Sequence, residues 1–301
     1  MPKVRKEDPV ILIGENINAM SKTVGPAMKE RNTKVIQELA VAQQEAGMDY
    51  LDINIGPAKR EGPELMEWMV KTVQEVVDLP LFLDTTNVEA IEAGLKAHKG
   101  KAVINSISCR PERMEILFPL VKKYEASFVG LLLGVEGIPR DAAERGALAA
   151  ELLAKAAEAG IPNEDIWLDP IVLPVSSQQE QVKGCTEFME MLKDLAPNCK
   201  STCGLSNVSN GAPAELRPIL NKTYLIMLGK YGLCSAIVNA FDKELIEIAR
   251  GGRADLAKLV HQVMDGEKVD LKALTQEEID YVKTAKLLLG HSLYSHSWLK
   301  L

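Results

Sequence analysis

The sequence predicts an α/β chain folded as a (β/α)8 barrel, the TIM-barrel architecture, with a C-terminal helical extension. Three observations carry this. Eight short apolar runs alternate with helical patterns along the first 250 residues or so. The runs are apolar on both faces, as central parallel strands should be. Nearly every run closes on a carboxylate or carboxamide, with no histidine, lysine or cysteine cluster at any end.

Strands are expected near 10–15, 49–55, 80–84, 102–105, 127–133, 166–169, 201–206 and 234–239, with helices between them and one at about 242–252. The first closes on Gly14-Glu15-Asn16 and the second on Asp52-Ile53-Asn54. Asp84 ends the third, and Asn105 the fourth. The greasiest run, Phe128 to Val135, is the fifth, and the sixth ends at Asp169. The seventh reads Gly204-Leu205-Ser206-Asn207, and the eighth closes on Asn239. The third crossover displays the helical period: Val88, Ile91 and Leu95 share a face, Asn87 is its N-cap and Gly100 its stop. An open doubly wound sheet is the competing architecture, but neither G-x-G-x-x-G nor G-x-x-x-x-G-K-S/T is present to support its nucleotide chemistry. The division is residues 1–253 for the barrel and 254–301 for the extension, with helices near 254–265 and 275–289 and a tail rich in His, Ser, Tyr and Trp. No low-complexity linker separates the two, so the extension packs on the barrel or on a second subunit.

A net charge of −7 and a pI near 5.4 argue against nucleic-acid or anionic-membrane surfaces, which need a clustered positive field. Five cysteines without a C-x-x-C pair form neither a disulfide framework nor a zinc knuckle, and fit a reducing cytoplasm. The charged Met1–Asp8 segment is no signal peptide, and no apolar run approaches the roughly 18 residues of a membrane helix.

In a parallel barrel the C-terminal strand ends converge on one mouth, where such folds place their sites. Asp84, Asn105, Asp169 and Asn207 then face a common pocket. Each has a bland alternative: Asp84 to Asn87 as a capping turn, Asp169-Pro170 as a turn opener, Asn207 as the cap of a helix beginning near Pro213. Turns accept Gly, Ser and Thr equally well, so the recurrence at successive ends favours a ligand site. A carboxylate accepts from adjacent N–H donors and a carboxamide both donates and accepts, a set suited to a ring with a cyclic N–H beside an exocyclic amine. The 2-amino-4-oxo edge of a pterin or guanine has that layout. His98, His261, His291 and His296 fall on predicted helices or in the tail, so neither a His-ligated metal nor a Ser-His-Asp triad is expected. Met66, Met69, Met189 and Met191 read as packing residues, and Glu144 and Arg145 as part of a solvated face.

The blocks Ile13-Gly14-Glu15-Asn16-Ile17-Asn18, Leu51-Asp52-Ile53-Asn54-Ile55-Gly56-Pro57, Leu83-Asp84-Thr85-Thr86-Asn87, Ile104-Asn105-Ser106, Leu168-Asp169-Pro170 and Gly204-Leu205-Ser206-Asn207-Val208-Ser209 resemble the pterin-binding methyltransferases that move a methyl group between methyltetrahydrofolate and a corrinoid protein. The resemblance runs over about residues 10–250 and resumes at 284–298. It implies that Asp84, Asn105 and Asp169 hold the pterin edge with Asp52 beside them, that Asn207 acts near N5, and that Arg217 sits at the mouth. Tetrahydrofolate and methyltetrahydrofolate are the implied substrates, with a cobalamin-type corrinoid carried on a partner protein and no metal bound by this chain. No D-x-H-x-x-G segment supplies a lower cobalt ligand, and the tail is too short for the roughly 100 residues of a second doubly wound domain. A homodimer is expected, with Tyr281, Tyr294 and Trp298 in subunit packing. Around 253–283 the chain is longer than acetyl-CoA-pathway members, so an O-demethylase or another methylotrophic system is an equal expectation, and the direction of transfer stays open.

Dihydropteroate synthase is the nearest rival. It shares the Asp84, Asn105 and Asp169 positions but carries a seventh-strand lysine where this chain has Gly204-Leu205-Ser206-Asn207, and a basic phosphate ligand where it has Asn239-Ala240-Phe241-Asp242. A non-catalytic folate-binding subunit of a methyl-transfer complex is the other alternative.

Overall fold

A computed structural model describes residues 9–58 and 61–300; the charged Met1–Asp8 segment lies outside them. The strands are β1 (Ile11–Asn18), β2 (Tyr50–Asn54), β3 (Leu81–Asp84), β4 (Val103–Ser108), β5 (Ser127–Leu131), β6 (Ile166–Asp169), β7 (Lys200–Ser201) and β8 (Ser235–Val238). All pair in parallel in the order β7-β6-β5-β4-β3-β2-β1-β8. A parallel bridge from Gly204 to Ile237 and the Ile237 N–H donated to Cys203 O (2.8 Å) close the ring. The helices are α1 (Val24–Lys29), α2 (Thr33–Glu45), α3 (Gly62–Gln74), α4 (Val88–Ala97), α5 (Pro111–Lys123), α6 (Ala142–Glu158), α7 (Val175–Leu195), α8 (Arg217–Lys230), α9 (Lys243–Ala249), α10 (Ala254–Met264) and α11 (Gln276–Leu288). Asn87 caps α4 by accepting the Ala90 N–H at 3.0 Å.

The expected seventh strand, 201–206, is the main departure. Its pairing ends at Ser201 apart from the Gly204 bridge, and the chain then turns into a 3-10 segment, Leu205–Ser209, which buries Leu205 and Val208. Two other expectations also need correction. Arg145 is fully buried, not solvated, while Glu144 pairs with Arg140 at the surface. Met191 is 45% exposed, although Met66, Met69 and Met189 are core residues.

The alternation of strand side chains separates two cores. Between sheet and helices lies the large outer core. Inside the barrel, Ile13, Phe82, Val103, Val129 and Trp167 pack with Ile11, Tyr50 and Ile237. Tyr50, Phe82 and Trp167 meet edge to face, with centroids 5.3–5.5 Å apart. This dry layer is a floor; the next inward position on each strand is its ceiling.

The extension packs on α8 through α10 and α11. Glu244 on α9 gathers Lys222 from α8, Arg253 (3.5 Å) and the Tyr281 hydroxyl (3.2 Å). Tyr281 and Trp298 are buried within their own chain, and the Trp298 indole donates to Thr284 Oγ1 at 3.1 Å. Tyr294 packs against Trp298 at 5.7 Å, its backbone N–H held by Gln179. Tyr281 and Trp298 are therefore occupied in fastening the tail to the barrel, and Tyr294 is half-buried beside them.

Candidate active site

One pleat above the floor, the inward positions become polar: Glu15 follows Ile13, Asp52 follows Tyr50, Asp84 follows Phe82, Asn105 follows Val103 and Asp169 follows Trp167. Because Asn54, Asp84 and Asn105 are register partners, three neighbouring strands deliver their ends to one level. The Asn105 amide donates to Asp52 Oδ1 (3.0 Å), and the Asn54 amide to Asp84 Oδ2 (2.5 Å). Carboxamides thus hold the carboxylates in place, each leaving acceptor capacity toward the mouth.

The carboxylates are hard to ionise. Burial, then repulsion from Asp84, pushes Asp52 well above the usual carboxylate range, against the opposing Asn105 hydrogen bond. Burial pushes Asp84 and Asp169 up to about 6, and raises Glu15 as well. Asp52 and Asp84 are bonded by neutral carboxamides and only Asp169 feels a cation, Arg145, so a ligand offering N–H donors gains by supplying further partners.

Asp169 opens a turn, as one of its sequence-based readings has it, while standing on the polar layer of the mouth. Its Oδ1 accepts the Ile171 N–H at 2.8 Å, closing a tight turn in which Ile171 sits at φ 65°, a left-handed conformation that β-branched residues avoid. The buried Arg145 supports that turn. Its Nε donates to Pro170 O (2.8 Å), and the two terminal nitrogens donate to Asp141 O (3.1 Å) and Gln181 Oε1 (2.9 Å). Arg145 also draws the Asp169 pKa downward, against burial.

Asn207 is on the 3-10 segment beyond β7, exposed, its oxygen accepting from the Asn210 amide at 3.1 Å. It caps no helix: α8 begins ten residues later, after Leu216, without a side-chain cap. Arg217 opens α8, is exposed, and donates from Nε to Ala212 O (3.0 Å), bracing the loop instead of contacting a carboxylate. His98 lies at the opposite end of the barrel, accepting the Leu81 N–H at 3.1 Å. Among the described residues no group of three or more His, Cys, Asp or Glu could hold a metal ion, and no helix is long and apolar enough to cross a membrane.

Sequence reasoning gave no role to Glu15 or Gln43. Pairing of β1 with β2 slips between Gly14 and Ile17, so Glu15 and Asn16 together oppose Asp52: a bulge, the device that re-aims side chains beside sites. Gly14 makes it possible, since a Cβ there would lie 2.3 Å from Gln43 Oε1, the atom that accepts the Asn16 N–H (3.2 Å). Asn16 then reaches β8, donating to Asn239 Oδ1 (3.0 Å) and accepting the Ala240 N–H (2.9 Å). The interruption of an apolar run by Gly-Glu-Asn was the available signal.

Fold and site together define a barrel enzyme whose mouth is an acceptor-rich cup of carboxylates and carboxamides. The chain belongs to the pterin binding enzyme family, whose model matches residues 16–239. It is 28% identical over 239 residues to a methylcorrinoid:tetrahydrofolate methyltransferase of Eubacterium limosum, covering 79% of this chain and 88% of that one. It is also 29% identical over 242 residues to methionine synthase of Mycobacterium tuberculosis, of which it spans 20%. A dihydropteroate synthase structure from Xanthomonas albilineans superposes with a TM-score of 0.61 at 16% identity over 82% of this chain and 93% of that one, a likeness of fold.

Proposed function

We propose that this protein transfers a methyl group between N5 of methyltetrahydrofolate and the cobalt of a corrinoid carried by a separate protein. The observation that carries this reading is the buried Asp52–Asn105–Asp84–Asp169 cup with the Asn207 turn at its rim, in a chain whose relative in Eubacterium limosum is a methylcorrinoid:tetrahydrofolate methyltransferase. Asp84 and Asp169 accept from the N–H edge of the pterin, and the Asp52–Asn105 pair supplies an acceptor and a donor beside them. This fixes the ring flat in the mouth.

In the demethylating direction cobalt(I) supplies the electron pair of the new cobalt–carbon bond, the pair of the N5–carbon bond stays on N5, and N5 takes up a proton. A neutral amine is a poor leaving group, so a carboxamide whose hydrogen bond strengthens as charge develops at N5 lowers the barrier. Asn207 cannot surrender a proton, so its role is to position the protonated N5 or a water. Arg217 supports that loop. The free cysteines fit a reducing cytoplasm, where the protein works as a homodimer.

The test is turnover of methyltetrahydrofolate with free cob(I)alamin, and of methylcobalamin with tetrahydrofolate, in the wild type and Asn207→Ala. The expected result is transfer by the wild type, with the variant losing rate by more than it loses affinity for unmethylated tetrahydrofolate. Tight folate binding without turnover in either direction, with free cobalamin or a corrinoid protein, would favour a non-catalytic folate-binding subunit.

A further inference from the structure

We propose that Glu15 is a positioning residue for the reaction: through Ser206 it fixes the turn that presents Asn207 over the pterin cup. The inference rests on the methyl-transfer reading for its kinetic consequence, though not for its structural one.

The turn needs an anchor from outside the sheet. β7 is two residues long, and past it the ladder offers only the Gly204–Ile237 bridge before the chain enters Leu205–Ser209. Leu205 and Val208 bury their side chains beneath the turn, and just past its end Ser176 Oγ donates to Asn210 O at 2.8 Å, which leaves Ser206 and Asn207 to be fixed from the other side. The Ser209 hydroxyl bonds within the turn, to Ser206 O (3.1 Å), and the Asn207 oxygen is shared with Asn210. Ser206 Oγ, adjacent to Asn207, is different: it donates to Glu15 Oε1 at 2.7 Å, a contact spanning 191 residues of sequence.

Glu15 is itself rigidly held. It occupies the β1 bulge that Gly14 and Gln43 together shape, and the next residue, Asn16, is tied to Asn239 and Ala240 on the β8 side. The bulge turns a strand residue toward the β7–β8 edge, where an uninterrupted β1 would have continued its regular register. Its carboxyl lies on the same polar layer as Asp52, and its charge helps to hold the Asp52 carboxyl above the usual range. A cup wall and the Asn207 turn thus share one rigid post, so that the distance between ring-holding groups and the carboxamide is set by side chains as well as by backbone.

The experiment compares Glu15→Ala, Glu15→Gln and Ser206→Ala with the wild type by hydrogen–deuterium exchange and by steady-state kinetics. Exchange in peptides covering 204–210 is expected to rise in Glu15→Ala and Ser206→Ala while β8 peptides covering 235–238 stay protected. Turnover is expected to fall about tenfold to a hundredfold, the cost of a small misplacement, with KM for the folate changed less than threefold or so. Glu15→Gln keeps an acceptor oxygen and is expected to recover most of the rate, and the Glu15→Ala/Ser206→Ala double variant to be no worse than either single one. Should Glu15→Ala fail to fold, Ser206→Ala carries the same two readouts without touching the bulge. Unchanged exchange at 204–210, equal losses in turnover and folate affinity, or a Gln variant as slow as Ala would each overturn the assignment. A wild type that turns nothing over would instead sink the methyl-transfer reading, with the exchange result still deciding whether Glu15 holds the turn.

Discussion

Asp169→Asn is expected to stabilise the protein and cripple its binding site together. Ionising Asp169 costs the folded state, because burial lifts its carboxyl from 3.8 to about 6. For a group raised on folding, the stability it contributes is complete below the unfolded value and is lost as pH climbs through the folded one. Above pH 6 the full shift corresponds to about 3 kcal/mol, and solvent at its partly open face reduces this to about 1–2 kcal/mol. The amide variant has no charge to bury and keeps an oxygen for the Ile171 N–H, so at pH 7.5 its Tm should rise by a few degrees. Binding moves the other way. One Asp169 oxygen is committed to Ile171, leaving the other for a ligand N–H; that charge-assisted bond is worth about 1.5–3 kcal/mol, or roughly ten- to 150-fold in affinity. Calorimetric titration of tetrahydrofolate into both proteins, beside thermal melts at pH 7.5, measures the two effects. A variant that melts lower, or binds within about threefold of the wild type, would refute the argument that this carboxylate is kept at a cost for its ligand.

Pterin affinity should fall as pH drops through about 6, where Asp84 and Asp169 take up protons and cease to accept from the ring edge, by up to about tenfold per unit for each group; fluorescence titration between pH 7.5 and 5 checks it, and a flat profile contradicts the cup. Arg145→Lys keeps a charge but not the fork that reaches three acceptors, so a loss of about 2–4 kcal/mol in urea unfolding is expected, with weakened folate binding because the Pro170 turn carries Asp169. Trp298→Ala should cost about 3–5 kcal/mol in the same assay without altering the mass seen by light scattering, since the indole is buried in its own chain.

The fold was legible because central parallel strands are short apolar runs with abrupt polar ends, and Asp84, Asn105 and Asp169 stood out for that reason. The seventh strand misled because Thr202, Cys203 and Leu205 are as apolar or compact as strand residues while only tertiary pairing decides where a ladder stops. Arg145 was invisible because a single-helix view assigns arginine to solvent; beside Asp141 at the start of its own helix, its partners Pro170 and Gln181 lie on two other segments brought to it by the fold. Gln43 is likewise readable only once Gly14 is seen to lack a side chain where the amide enters. The tail aromatics read as a subunit interface in the sequence because composition cannot say which surface a tyrosine or tryptophan covers.

The aromatic floor of Tyr50, Phe82 and Trp167 closes the barrel beneath the polar cup, so that among the described residues the cup faces outward through the mouth. Traffic is therefore last in, first out. A flat ring lodged against the acidic wall can neither arrive nor depart through the mouth while a second, bulky reactant covers it. Under methyl transfer the folate must enter before its macromolecular co-substrate and leave after it, so the order of events in each catalytic cycle is written in a layer of side chains that touches neither reactant's methyl group.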